Sequence, residues 1–316
     1  DENRVPVIRF KHPTQPVTVD DRILGDITLQ PDELEDIVIR KADGFPTYHF
    51  AVVVDDHHMH ITQILRGAEH LKNTHKHLGL YAALGWEPPA SGHMPLIFNP
   101  TGSKMSKRDK AKAARAGARA AHKERGAAKG DWSWLAEISG LDSDVIALFM
   151  KKKNDNLPTA EAIASALNVP LPLIDVQDFR VGGYIPEALV NYMALLGWSP
   201  GDDREIMTLD EMAACFSLER VGRTAARFDP EKLEWMNGEY MRSLPDARIE
   251  ELFSQYLALS NSPICALTPG KQTEILRLFR SRSRTFAALD HACGFLFEAP
   301  TSYAPKAAKK WLRKGN

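Results

Sequence analysis

A chain of 316 residues, 44% hydrophobic and 26% charged, is long enough for a sizeable core and for roughly two or three domains. Its net charge of -1 excludes a uniformly basic coat for nucleic acid, so any phosphate contact must come from local clusters. Three widely spaced cysteines (Cys215, Cys265, Cys293) exclude a disulfide framework and a Cys-ligated zinc, and they fit a reducing, cytoplasmic compartment.

Residues 1–45 alternate short apolar runs with turn signals and are expected to be β-rich. The start, DENRVPVIRF, has no initiating Met and no signal-peptide pattern, which suggests an internal piece of a longer protein. No apolar run reaches membrane-spanning length. YHFAVVVDD (48–56) is continuous, apolar and closed by two acids, the pattern of a buried parallel strand. Residues 61–87 read as helix–loop–helix, and MPLIFNP (94–100) as another buried strand. This order predicts an α/β architecture.

The stretch GSKMSKRDKAK (102–112) follows at once. Gly102 and Ser103 supply backbone freedom, and Lys104, Lys107 and Arg108 bring three cations close together. Such a loop can close over a triphosphate and stabilise charge developing on it. Charge alone favours a solvated basic turn, while the place of the loop directly after a buried strand favours the ligand loop. DKAKAARAGARAAHKERGAAKG then shows helix formers without a clear apolar stripe, interrupted by glycines, and is expected to be a solvated, partly ordered basic segment. Short helices are expected at WSWLAEISG and VIALFMKKK, another at LPTAEAIASALNVP, and a mainly helical chain from Ile185 to the end. Pro186, Asp210, Pro230 and Pro305 mark helix starts.

Asp55, Asp56, His57, His58, His60, His70, His75 and His77 gather potential metal ligands. Their spacing fits no closed zinc set, and adjacent His57 and His58 point apart on a regular element, so no metal site is expected there. These residues read instead as polar groups lining a cleft.

Lys104-Met105-Ser106-Lys107-Arg108 resembles the KMSKS signature of class I aminoacyl-tRNA synthetases, in a variant ending in Arg. DGFPTYHFAVVVDDHHMHITQILRGAEHL (43–71) and PLIFNPTGSKMSKRD (95–109) resemble blocks of the bacterial glutamyl-tRNA synthetases. YIPEALVNYMALLGWSPGDDREIMTLDEM (184–212), FDPEKLEWMNGEYMR (228–242) and the upstream residues 8–44 resemble further segments of that family, in the same order.

The resemblance implies the second half of a class I synthetase Rossmann-like catalytic domain, followed by mainly α-helical stem-contact and partial anticodon-binding regions. Residues 1–45 would end the connective region, and 46–110 would carry the catalytic half with its signature loop. Residues 111–177 would be a basic helical insertion, 178–248 the stem-contact region, and 249–316 part of the anticodon-binding domain. It implies that Tyr48 and Arg66 bind glutamate. Lys107, with Lys104, Met105, Ser106 and Arg108, would handle ATP, Lys107 and Lys104 in a catalytic role. Lys112, Arg115 and Arg119 are expected to meet tRNA phosphate.

The implied activity is glutamate–tRNA ligation, with L-glutamate, ATP with Mg²⁺, and tRNA(Glu) as partners, no protein-bound zinc, no membrane, and a monomer. The family's other signature, His-Ile-Gly-His, has no counterpart in these residues. The chain alone is therefore expected to be inactive, and a catalytically incomplete fragment binding tRNA or a partner is the second reading. Helical rather than β-rich character after residue 245 argues against a glutaminyl enzyme.

Overall fold

The computed structural model describes residues 5–100, 102–299 and 308. In chain order its elements are β1 (Ile8–Phe10), β2 (Val17–Asp21), β3 (Gly25–Leu29), β4 (Ile37–Arg40), α1 (Tyr48–His58), β5 (Gln63–Gly67), α2 (Leu71–Leu84), β6 (Ala90–Met94) and β7 (Ile97–Phe98). Then follow α3 (Arg108–Glu124), α4 (Ser133–Ser139), α5 (Ser143–Met150), α6 (Leu157–Ala166), α7 (Val176–Val181), α8 (Pro186–Leu195), α9 (Leu209–Cys215) and β8 (Ala226–Arg227). Four helices close the described chain: α10 (Pro230–Ser243), α11 (Asp246–Leu257), α12 (Pro269–Phe279) and α13 (Phe286–Cys293). Two compact units result, one from the stretches up to Lys104 and Val190–Asp229, the other from Met105–Leu189 and from Pro230 onward.

The first unit is built on a four-stranded sheet of order β3-β2-β6-β5. β2 and β3 form an antiparallel hairpin, while β6 runs parallel to both β2 and β5. β5, α2 and β6 thus make a βαβ unit, whose crossover needs a helix to return the chain. The carboxyl ends of β5 and β6 carry Arg66 and His93, which face each other in register. That edge is where open parallel sheets hold ligands. β1 pairs with β4, and β7 with β8. α1 and α2 pack together through Ile37, Val53, Leu80 and Tyr81, with Phe50, Val52 and Trp86 alongside. Ile23, Trp198, Met207, Met212 and Val221 form a second cluster in this unit.

Three expectations are corrected here. YHFAVVVDD is helix α1, not a strand. Its β-branched run satisfies a helical face, because Val53 is fully buried against α2 and no neighbouring strand pairs with it. QILRG, expected to be helical, is strand β5 because β6 supplies its ladder. The strand expected at 94–100 shrinks to the two residues of β7, while the buried strand is the preceding ASGHM, β6. That strand contains no apolar run, so hydrophobicity could not reveal it. β2 and β3, which precede residue 45, join β5 and β6 in one sheet.

In the second unit the basic stretch after Arg108 is the 17-residue helix α3, not a partly ordered segment. Its core stripe is alanine: Ala111, Ala114 and Ala118 are buried with Leu135, Ile146, Phe149 and Ile163 of α4 to α6. Small side chains bring the helices close, and Gly117 completes the stripe, since a Cβ there would collide with Val169 Cγ2. α4, α5, α6, α8 and α10 match the expected helices. Asn237, fully buried, ties α10 to the chain before α8 by accepting Ile185 N–H at 2.7 Å and donating to the Arg284 carbonyl. Arg280 covers the carboxyl end of α10, donating to the carbonyls of Met241 (2.6 Å), Arg242 (3.0 Å) and Leu244 (2.6 Å). Beyond residue 245 the described chain is helical. The helix expected from Pro305 lies outside the described residues.

Candidate active site

Tyr48 opens α1, its cap residue Thr47 donating a hydroxyl to the Val38 carbonyl at 2.6 Å. The Tyr48 ring is 54% exposed, so it faces solvent rather than the core. Edge-on contacts tie it to His49 (5.2 Å) and His77 (6.0 Å), and His49 Nδ1 meets His77 Nε2 at 3.1 Å. Burial, then the positive charge of Arg66, lowers the His77 pKa to about 3. Burial, then Lys76 and Arg66, lowers that of His49 as well. Both imidazoles are therefore uncharged at neutral pH, and Arg66 and Lys76 supply positive charge beside them.

Arg66 is half-buried at the end of β5. Burial draws its pKa below the ordinary value, and Tyr48 and Asp56 partly offset that. Its Nε donates to His93 Nε2 at 3.4 Å and its Nη2 to Thr74 Oγ1. The remaining N–H groups of the planar guanidinium suit two-point binding of a carboxylate. Tyr48 and Arg66, both called from the family blocks, thus share one wall. Asp21, Thr74 and His93, which lie behind Arg66, escaped the sequence reading. Asp21 and His93 are 72 positions apart, and only the parallel pairing of β2 with β6 joins them.

Lys104 belongs to the same unit and pairs with Glu69 at 2.9 Å. That ammonium holds the Glu69 carboxyl below its ordinary value. The turn before it is closed by Asn99, which donates to Ser103 Oγ at 2.7 Å and accepts Ser103 N–H at 3.0 Å. Gly102 stands at φ 87°, a backbone state that favours glycine.

The rest of the signature belongs to the second unit. Met105 and Ser106 are half-buried. Lys107 is the residue before α3, 74% exposed in its side chain and 3.1 Å from Asp175. Arg108 begins the helix and lies 3.9 Å from Asp155. Asp109 accepts Ser106 N–H at 3.1 Å, which fixes the entry to α3. Lys112 and Arg119 stand on the exposed face of α3. Arg115, expected to be exposed to phosphate, is instead buried. It donates to the carbonyls of Phe149 (2.7 Å) and Asn154 (2.9 Å), pairs with Asp155 and lies over the Phe149 ring. Its guanidinium is spent inside the helical module.

Of the histidine-rich stretch, His57 stacks on Trp86 at 3.9 Å and His58 meets the same ring edge-on at 6.0 Å. The two neighbours therefore converge on one indole, where opposite directions were expected. Among the described residues no group of three or more His, Cys, Asp or Glu could hold a metal ion. No helix there is long and apolar enough to cross a membrane.

A βαβ unit with Arg66 at its carboxyl edge, followed along the chain by a Lys-Met-Ser-Lys-Arg turn, fits a class I synthetase catalytic core. The family model described as tRNA synthetases class I (E and Q), catalytic domain, matches residues 1–123 and 171–235, and the chain belongs to that family. The chain is 35% identical over 285 residues to a glutamate–tRNA ligase of Paracidovorax citrulli, covering 90% of this chain and 46% of that protein. It is also 35% identical over 308 residues to one of Flavobacterium johnsoniae, covering 96% and 51%. A crystal structure of a glutamate tRNA ligase from Elizabethkingia meningosepticum in complex with its amino acid superposes with a TM-score of 0.65 at 31% identity, covering 96% of this chain and 51% of that one. The chain thus spans about half the length of the curated relatives it matches.

Proposed function

We propose that the protein carrying this chain is a glutamate–tRNA ligase. MgATP would activate L-glutamate to glutamyl-adenylate, and the glutamyl group would pass to the 3′ end of tRNA(Glu). Arg66 takes the substrate carboxylate and Tyr48 orients it. Lys107 meets the ATP phosphates, where an ammonium favours the negative charge that builds up during attack on the α-phosphate. Lys104, Met105, Ser106 and Arg108 complete that loop. Residues 178–248 would contact the tRNA stem, and the helices after 249 would begin its anticodon-binding region. The protein would act as a cytoplasmic monomer. The supporting observation is the half-buried Arg66, held from behind and flanked by Tyr48 at the carboxyl ends of the parallel pair β5 and β6.

The test is glutamate-dependent ATP–pyrophosphate exchange and tRNA(Glu) charging by the complete protein. Arg66→Ala is expected to raise the KM for glutamate about a hundredfold, the value of a lost charged hydrogen-bond pair. Exchange that ignores glutamate would refute the assignment, and tRNA binding without exchange would favour the second reading.

Lys112 and Arg119 on the open face of α3 would add phosphate contacts. Replacing both with Ala should lower the slope of log K against log salt for tRNA binding by roughly one to two units. An unchanged slope removes α3 from the interface.

A further inference from the structure

We infer that Asp21, His93 and Thr74 form a buried positioning chain that sets the orientation of the Arg66 guanidinium. The inference rests on the reading of Arg66 as the group that takes the substrate carboxylate.

Each link has one direction. Asp21 Oδ1 accepts three backbone N–H groups, from Leu24 (2.8 Å), Ile23 (3.0 Å) and His93 (3.1 Å), so the carboxylate cannot turn. Its Oδ2 faces His93 Nδ1. A carboxylate only accepts, so Nδ1 carries a proton, and the Arg66 Nε–H directed at Nε2 makes that nitrogen the acceptor. Thr74 Oγ1 lies 2.9 Å from that nitrogen, against 3.4 Å from the His70 carbonyl, and donates to the nearer acceptor, which leaves the hydroxyl oxygen free to accept Arg66 Nη2. Arg66 Nε, 3.4 Å from the same ring nitrogen, is held on the same side. Two contacts on adjacent guanidinium nitrogens fix the plane of the group as well as its place.

The chain draws one residue each from β2, β6, α2 and β5. Asp21, His93 and Thr74 are 3%, 0% and 3% exposed. Burying such a chain brings little stability over apolar packing of the same volume. Its use lies in its end point. Without Asp21 the imidazole could move its proton to Nε2, placing an N–H against the N–H groups of Arg66.

A purely structural role for Asp21, joining β2 to β6, is the alternative, and Thr74 separates the two. Thr74→Val removes the hydroxyl while leaving the Asp21–His93 pair and the shape intact. In the complete protein, Thr74→Val and Asp21→Asn are expected to raise the KM for glutamate about tenfold, with the KM for ATP changing less than about twofold. Thr74→Ser should restore the parent value. In the same complete protein, the Arg66 Nε–H resonance in ¹⁵N NMR, assigned by its loss in Arg66→Lys, should shift and exchange faster with solvent in Thr74→Val.

If Arg66→Ala raises the glutamate KM while Thr74→Val leaves both that KM and the Nε–H signal unchanged, the positioning chain is refuted. If Arg66→Ala itself leaves the glutamate KM unchanged, the underlying reading of Arg66 fails instead. Should Asp21→Asn not fold, the Thr74 pair still decides.

Discussion

Lys110 sits in the first turn of α3 with its side chain 3% exposed, among Asp178, Glu161 (3.6 Å) and Asp175 (3.7 Å). Burial alone would lower its pKa, but those three carboxylates outweigh burial and raise it. Lys110→Ala leaves the carboxylates without their shared cation and is expected to cost about 3 kcal/mol in urea unfolding. Lys112→Ala, at an exposed pair with Asp109, should change stability by less than about 0.5 kcal/mol. In the sequence both are lysines of one basic run, and nothing local separates them. His77 carries a pH prediction. Its folded pKa is lowered from 6.5 to about 3, so the unfolded chain binds a proton that the folded chain refuses. The stabilisation is complete above pH 6.5 and is lost as pH falls toward 3, by at most about 1.4 kcal/mol per pH unit. Asp21 adds a second limb at lower pH. Burial raises its pKa, but hydrogen bonds from Leu24, His93 and Ile23 outweigh burial and hold it below the carboxylate range. Urea midpoints followed from pH 7 downward should begin to fall near pH 6.5, and His77→Gln should make that fall shallower, with His49 and His12 accounting for the remainder.

At the scale of elements, α3 shows why a polar-looking helix can be a core element. Its stripe consists of Ala111, Ala114 and Ala118, which add little to hydrophobicity but let α6 approach. Ala114→Leu is expected to destabilise by about 1–3 kcal/mol through overpacking, read from the thermal midpoint. The same substitution at Ala116, on the exposed face, should be near neutral. The helices from α8 onward were legible because their apolar periods and starting prolines agree with their packing. The strands near the site were not. β6 holds Ser91, Gly92 and His93, buried by position between β2 and β5 and not by composition. α1 was misread for the opposite reason, as Val52–Val54 has strand propensity that burial against α2 overrides.

On the scale of the whole chain, the two units divide the signature between Lys104 and Met105. Lys104 is tied to Glu69 in the first unit, Lys107 and Arg108 to Asp175 and Asp155 in the second. Asp155 lies in the stretch between 123 and 171 that the family model leaves unmatched, so part of this loop's counter-charge comes from outside the common pattern. Asp155→Asn is therefore expected to weaken the hold on Arg108 and Arg115, lowering the thermal midpoint without changing the KM for glutamate. A change in that KM would show that this stretch reaches the substrate.

The sequence by itself determined the family, the signature turn and the two residues, Tyr48 and Arg66, proposed to take glutamate, because those reside in contiguous blocks with a recognisable order. Tertiary structure alone decided which strands exist near the site, which lysine of α3 is buried, and what stands behind Arg66. The physical reason is distance along the chain. Asp21, Arg66, Thr74 and His93 come from four elements, and a hydrogen-bond chain among them leaves no periodicity, spacing or composition that a single segment could show.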